Sequence, residues 1–392
     1  MILPLEGFRV LELSANYPGS LCTLLLADLG AEVIKIERPG GGDPGRSTPP
    51  LAKKTGVFFH MLNRNKKSLT LDIRKPQGRK ILLGLSERVD VFVENSRPGN
   101  LGRLGLGYGD VAVVNPRIVY CSITGFGHDG PCRDVPAHDI NFLALSGILG
   151  LIGDKGPVPA VSDITLAGTG AGGINAALGI LAALLQRERT GRGQFVDAAI
   201  LDGLTPFLLL PMCLFMQAGK RPQRDPSMPG GDYAFWNVYR TKDGRYISLG
   251  CWERKYWDRF CQAIGRGELS SEHHAPPQRQ ADVIEEIRAI FLTKTRDEWM
   301  RALDPAEICY APVNSLEEAL AHPQVRHRGL WFTATHPEDG KIPQPGFPLK
   351  LGEYRPGWRT PPPGPGEHNR EILGEIGIGE NELSELKTQG VI

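Results

Sequence analysis

Residues able to hold an anion recur at turns through the first third of this chain. They are Arg38-Pro39-Gly40, Asn63-Arg64-Asn65-Lys66-Lys67-Ser68, Arg74, and Asn95-Ser96-Arg97-Pro98-Gly99, with Arg103 close behind. Guanidinium groups and loop amides match phosphate oxygens in charge and shape, so several such turns along one sheet edge would form a rim for a phosphorylated ligand. Singly, such charges are more often solvated faces. A second group follows. Pro136-Ala137-His138-Asp139-Ile140-Asn141 sets a histidine–aspartate pair at the mouth of an apolar helix, where an imidazole either moves a proton or caps the helix. Further on, Ala167-Gly168-Thr169-Gly170-Ala171-Gly172-Gly173 spells Gly-x-Gly-x-x-Gly before a helix. A dinucleotide turn needs that pattern after the first strand and an acidic residue at a later strand end. The first turn instead reads Ser14-Ala15-Asn16-Tyr17-Pro18-Gly19, and Glu188 falls at a helix end. Close helix packing is the better reading of these glycines, and neither a nicotinamide nor a flavin is expected.

The elements that position these residues alternate. Strands are expected at 8–13, 32–37, 68–73, 90–94, 118–123 and 194–198, with helices at 21–29, 79–85 and 174–185. One βαβ unit fits within about thirty residues, 8–37, the usual length for a parallel crossover. The pattern is doubly wound α/β, in which ligands bind outside the carboxyl ends of the strands. Composition shifts at 222–231, where Pro222, Pro226 and Pro229-Gly230-Gly231 read as a linker. Beyond it lies a smaller α+β region, 232–325, with strands at 236–239, 246–250 and 309–313 and helices at 253–263, 281–292 and 296–303. From 326 to 392 the chain is rich in Pro and Gly, runs extended through Pro361-Pro362-Pro363-Gly364-Pro365, and closes on a helix at 380–388. The large domain is thus expected over 1–221 with a return at 326–392.

With 392 residues the chain holds more than one core. A hydrophobic share of 41% and a charged share of 23% are those of an ordinary globular protein. A net charge of +1 provides no broad field for nucleic acid or an anionic membrane, so any anion site must be local. Met1-Ile2-Leu3-Pro4-Leu5-Glu6 has no basic segment or long apolar run. The apolar stretch 204–218 is too short to span a bilayer. The seven cysteines form no Cys-x-x-Cys pair and read as reduced thiols, so a cytoplasmic setting without a metal is expected.

The stretches Ile36-Glu37-Arg38-Pro39-Gly40, Asn65-Lys66-Lys67-Ser68-Leu69-Thr70-Leu71-Asp72, Val93-Glu94-Asn95-Ser96-Arg97-Pro98-Gly99 and Arg103-Leu104-Gly105-Leu106-Gly107-Tyr108 resemble successive signatures of the class III (CaiB/BaiF) CoA-transferases, a superfamily that includes the α-methylacyl-CoA racemases. Ser122-Ile123-Thr124-Gly125-Phe126-Gly127 and Gly366-Glu367-His368-Asn369-Arg370 fit as well, so the likeness runs the length of the chain. It implies a Rossmann-like large domain, a smaller α+β domain and an interlocked dimer, with coenzyme A, bound as an acyl-CoA substrate, along Tyr17, Arg38, Leu71, Arg74, Asn95, Arg97 and Arg103. Transferases of this family attack the thioester with an aspartate, and its racemases pair an aspartate with a histidine. Counted back from Ala176-Ala177-Leu178-Gly179-Ile180, the aspartate position falls on Gly168, and Asp163 is the nearest carboxylate before it. His138 and Glu253 match the racemase histidine and its glutamate partner. Three readings follow. The leading one is a transferase subunit that borrows the aspartate from a related subunit, as in two-subunit benzylsuccinate CoA-transferases with succinyl-CoA as donor. The others are a racemase using His138 and Glu253, and a non-catalytic CoA-binding scaffold. If Gly168 has a positive φ, Gly168→Asp is expected to cost about 1 kcal/mol.

Overall fold

The computed structural model describes residues 2–153, 159–218, 233–354 and 356–392. Two compact units emerge: Met1–Ser146 with Ser162–Phe207 and Pro323–Ile392, and Gly147–Val161 with Leu208–His322. The chain leaves the first unit after Phe207, and the expected linker at 222–231 lies outside the described residues.

In the first unit strands and helices alternate as β1 (Arg9–Leu13), α1 (Tyr17–Asp28), β2 (Glu32–Glu37), α2 (Val57–Leu62), β3 (Lys66–Thr70), α3 (Pro76–Ser86), β4 (Val91–Glu94), α4 (Tyr108–Val114), β5 (Val119–Thr124), α5 (Asp139–Ser146), α6 (Asn175–Thr190) and β6 (Gln194–Ala199). The six strands form one parallel sheet in the order β3-β2-β1-β4-β5-β6. Its order reverses between β1 and β4, and a doubly wound sheet opens a crevice at the carboxyl ends there. On one face Leu11, Ile34, Leu69 and Phe92 pack with Leu82 and Leu85 of α3. Ile372, Leu383, Leu386 and Val391, from the far end of the chain, complete that layer. Each such side chain contributes roughly 1.5–3 kcal/mol on burial, so the C-terminal segment is held to the N-terminal sheet by its apolar face.

The other face carries buried charge. Glu12 of β1 accepts from Lys35 Nζ of β2 at 2.7 Å and from Lys66 Nζ of β3 at 2.8 Å, and all three are buried. Burial pushes the Glu12 carboxyl up, but the two ammonium groups outweigh it and hold the carboxyl down at about 2. Burial pulls Lys66 down to about 8 against the attraction of Glu12. Arg64 is likewise buried, on Asp28 and Gln344. Lys67 bridges Glu32 and Glu371 at 2.6 Å each. These three basic residues therefore do not belong to the expected phosphate rim. β3 starts at Lys66, two residues before the expected strand, so 64–67 lie at its amino end and the rim is at the carboxyl end.

Antiparallel strands β7 (Trp236–Arg240), β8 (Tyr246–Gly250) and β9 (Tyr310–Pro312) form the sheet of the second unit. Helices Arg254–Ala263, Pro277–Phe291 and Arg296–Leu303 accompany it around an aromatic core of Phe235, Tyr239, Trp257, Phe260, Phe291 and Trp299. The Pro/Gly-rich return to the first unit holds a hairpin where only extended chain was expected, β10 (Trp331–His336) with β11 (Gly340–Pro345). Pro343 and Pro345 obscure it, since proline is tolerated only where a ladder has a free edge. Asp339 fastens the hairpin: its Oδ1 accepts from Lys54 N at 2.7 Å and Lys53 N at 3.1 Å, and its Oδ2 lies 2.8 Å from His60 Nε2. His336 stands beside this pair, so His60, His336 and Asp339 have the composition of a metal site. Both ring nitrogens of His336 are engaged in the protein: Nδ1 accepts from Glu338 N and Asp339 N, and Nε2 lies 3.2 Å from Pro362 O. The continuous helical run Leu166–Thr190, rather than 204–218, is long and apolar enough to cross a membrane by length and composition. It packs against α1 and the short helix Ile200–Gly203 of the same unit, as a core helix does.

Candidate CoA-binding and acyl-transfer site

A cleft of about 550 Å³ opens at the carboxyl ends of the first four strands. The β1 turn contributes Ser14 and Ala15, the end of β2 contributes Arg38, and the loop beyond it Gly42 to Pro44. Leu71 to Arg74 follow β3, Asn95 and Ser96 follow β4, and Asn100, Arg103 and Leu104 close the wall. Five of the seven residues expected along CoA, Arg38, Leu71, Arg74, Asn95 and Arg103, therefore meet in one cavity. Tyr17 and Arg97 do not line it. Tyr17 lies at the start of α1 with its ring 4.0 Å from that of Phe58, and Arg97 is exposed on the turn after β4. That turn needs glycine at 99, which has φ +79° and Arg133 close to the space a side chain would fill.

The cationic wall is graded. Arg38 and Arg103 are exposed and form no ion pair with a carboxylate among the described residues, while Arg103 donates to Asn100 Oδ1. Arg74 is forked onto Asp72 at 2.9 Å through both Nε and Nη2. Those hydrogen bonds hold the Asp72 carboxyl down at about 2 against a small cost of burial. Asn95 serves the wall rather than facing the cavity with a free amide. Its Nδ2 donates to Ala15 O at 2.7 Å and its Oδ1 accepts from Ala15 N at 3.2 Å, which fixes the β1 turn against β4. Glu37 was not expected to matter, yet it orders the loop after β2 by accepting from Asp43 N at 2.8 Å and from Arg46 at 2.6 and 2.7 Å. Its position in Ile36-Glu37-Arg38 was the only sequence signal. Behind β4, buried Glu94 accepts from Ser122 Oγ, which lies 2.7 Å from His128 Nε2. Burial raises Glu94 more than those hydrogen bonds lower it, and burial also lowers His128.

The histidine–aspartate pair and the glycine-rich segment come together in this unit. Leu166–Ile174 is a π-helix running directly into α6, a geometry frequent at functional sites. The Gly172-Gly173 end of its glycine-rich run is a packing device. A Cβ on Gly173 would stand 2.9 Å from Pro18 O, and one on Gly172 would stand 3.2 Å from Pro18 Cβ, so these glycines let the helix lie on the first turn of α1. Gly168 is buried with φ outside the left-handed region, contrary to the conformational constraint considered for it. Its N–H donates to Asp139 Oδ1 at 2.6 Å, and Ala167 N–H donates to Asp139 Oδ2 at 3.3 Å. His138 is exposed, and its backbone N–H is held by Asn141 Oδ1 at 2.9 Å. Asp163 is exposed on the approach to the π-helix. Glu253 belongs to the second unit, at the exposed start of helix Arg254–Ala263.

Comparison with known proteins bears on this arrangement. The family described as CoA-transferase family III matches residues 5–369. The chain is 36% identical to the succinyl-CoA:glutarate CoA-transferase of Mus musculus over 99% of this chain and 90% of that protein. It is 34% identical to the alpha-methylacyl-CoA racemase of Homo sapiens over 100% of this chain and 98% of that protein. A CAIB/BAIF family protein from Brucella suis has a solved structure that superposes with a TM-score of 0.83 at 29% identity, covering 96% of this chain and 100% of that one.

Proposed function

We propose, from the premise that this chain belongs to CoA-transferase family III, that it moves coenzyme A from an acyl-CoA such as succinyl-CoA to a second carboxylic acid, a small dicarboxylate being the first acceptor to try. The observation carrying this reading is the cleft at the strand ends, where exposed Arg38 and Arg103 form no ion pair with a carboxylate among the described residues and Arg74 stands on the same wall. Cations on exposed turns above a parallel sheet suit the phosphates of a CoA nucleotide. The choice of acids rests on the likeness to a succinyl-CoA:glutarate CoA-transferase. The reading includes a paired, dimeric assembly, as the family resemblance implies.

The test is direct. The pure chain is incubated with succinyl-CoA and glutarate, or benzylsuccinate, and CoA esters are separated by chromatography. A new acyl-CoA together with free succinate supports the reading. Turnover appearing only after a related subunit bearing an aspartate at the Gly168 position is added would make this chain the non-nucleophilic half of a heteromer. A second reading is favoured by exposed His138 and by the likeness to a racemase. It requires deuterium uptake at the α-carbon of a 2-methylacyl-CoA in D₂O. Exchange without any transfer would replace the transferase reading, and CoA binding with neither reaction would make the chain a scaffold.

A further inference from the structure

We propose that Asp139 is the nucleophile of this chain; the inference rests on the CoA-transfer reading above. A Cβ built on Gly168 would lie 3.4 Å from Asp139 Oδ1, so the carboxylate already stands in the space a side chain at 168 would begin to enter. The absence of a side chain at 168 leaves that space to Asp139. The carboxylate is oriented by two backbone N–H groups, Gly168 at 2.6 Å and Ala167 at 3.3 Å. Two oxygens offer about four acceptor sites, so lone pairs remain for attack. Asp139 is half-buried and so retains an open side. It is also next to the cleft's own wall. The same Cβ at 168 would be 4.0 Å from Tyr17 Cβ, and Tyr17 stands two residues beyond Ala15, which with Ser14 lines the cleft.

The chemistry balances. An Asp139 oxygen attacks the thioester carbonyl, the C–S bond breaks, and CoA leaves as the thiolate, giving a mixed anhydride. The thiolate then attacks the Asp139 carbonyl carbon and expels the donor carboxylate, leaving aspartyl-CoA. The acceptor carboxylate displaces the thiolate from Asp139, and the thiolate attacks the acceptor's carbonyl, releasing the new acyl-CoA and regenerating Asp139. When the thiolate attacks the Asp139 carbon, negative charge develops on an Asp139 oxygen. The Gly168 and Ala167 N–H groups point at those oxygens, as an oxyanion site requires.

The experiment treats the full chain with succinyl-CoA, quenches with hydroxylamine or borohydride, and maps the modified peptide by mass spectrometry. Modification at Asp139 is expected, and Asp139→Asn, which keeps an acceptor for Gly168 N–H, should lose both the adduct and about 10⁴-fold or more of turnover with CoA binding changed less than threefold. Modification at Asp163 or elsewhere, or an Asp139→Asn protein that still turns over, overturns the proposal. So does turnover that depends on an added subunit with the adduct on that subunit, an outcome that leaves CoA transfer itself standing. Peptide mapping of the parent chain decides the matter even if the variant does not fold. No transfer under any arrangement would instead remove the transferase reading.

Discussion

Substituting Gly168→Asp places a second carboxylate against Asp139, and the consequence can be worked from the geometry. The Cβ enters 3.4 Å from Asp139 Oδ1, an ordinary contact, so the backbone and packing tolerate it. Gly168 has no positive φ, so the left-handed penalty expected from sequence does not arise. The cost is electrostatic. Two unit charges roughly 5 Å apart at an effective dielectric of about 20 repel by about 3 kcal/mol. The control is Gly168→Asn, which has the same shape without the charge. Urea unfolding at pH 8 should find the Asn variant within about 1 kcal/mol of the parent and the Asp variant about 2–3 kcal/mol below it. The sign with pH follows from linkage. Crowding raises the carboxyl pKa values in the folded state, so the folded state binds more protons, and stability falls as pH rises past the ordinary carboxylate range. The deficit of the Asp variant should therefore shrink as the pH is brought from 8 to 5. Equal losses for Asn and Asp, or a deficit that ignores pH, would refute the placement of Asp139 at this turn and with it the nucleophile assignment.

Arg38→Ala and Arg103→Ala should each weaken CoA binding by roughly ten- to a hundredfold, as loss of a charge-assisted hydrogen bond does, with a smaller salt dependence in calorimetry; unchanged affinity in both would move CoA out of the cleft. Glu12→Gln should cost about 3–5 kcal/mol because it leaves buried Lys66 without its carboxylate and Lys35 with Asp43 alone. In the parent, the Glu12 carboxyl held at about 2 contributes stability that is present above about pH 4.5 and lost as pH falls toward 2. Lys66, pulled down to about 8, sheds its proton in the folded state before the unfolded one, so the Glu12→Gln protein should regain stability from pH 7 to 9.5; thermal melts across both ranges check this. Asp339→Ala should cost about 3 kcal/mol by stranding two backbone donors and buried His60, read as faster hydrogen exchange in 331–345.

The alternation of strand and helix signals foretold the parallel sheet because short runs rich in Val, Ile and Leu recur between helical stretches, a pattern that survives the charged residues buried in β1, β2 and β3. The charges were harder. Lys66 and Arg38 look alike in sequence, each basic and next to a turn, yet one is buried on Glu12 and the other lines a cleft. What separates them is which end of a strand they occupy, and a two-residue error in the start of β3 exchanges the two roles. The site has the same character. His138 and Gly168 were singled out because motifs name them. Asp139 was visible beside His138 but had no role until the π-helix brought Gly168 N–H within 2.6 Å of it. A wide turn adds a residue to the helix without changing its apolar pattern, so no periodicity announces it. Counting positions along a motif assumes that each side chain must supply its own chemistry. Here a glycine can yield its place to a carboxylate from another helix, so the question that sequence posed as a missing residue becomes, in three dimensions, which neighbouring carboxylate occupies the space.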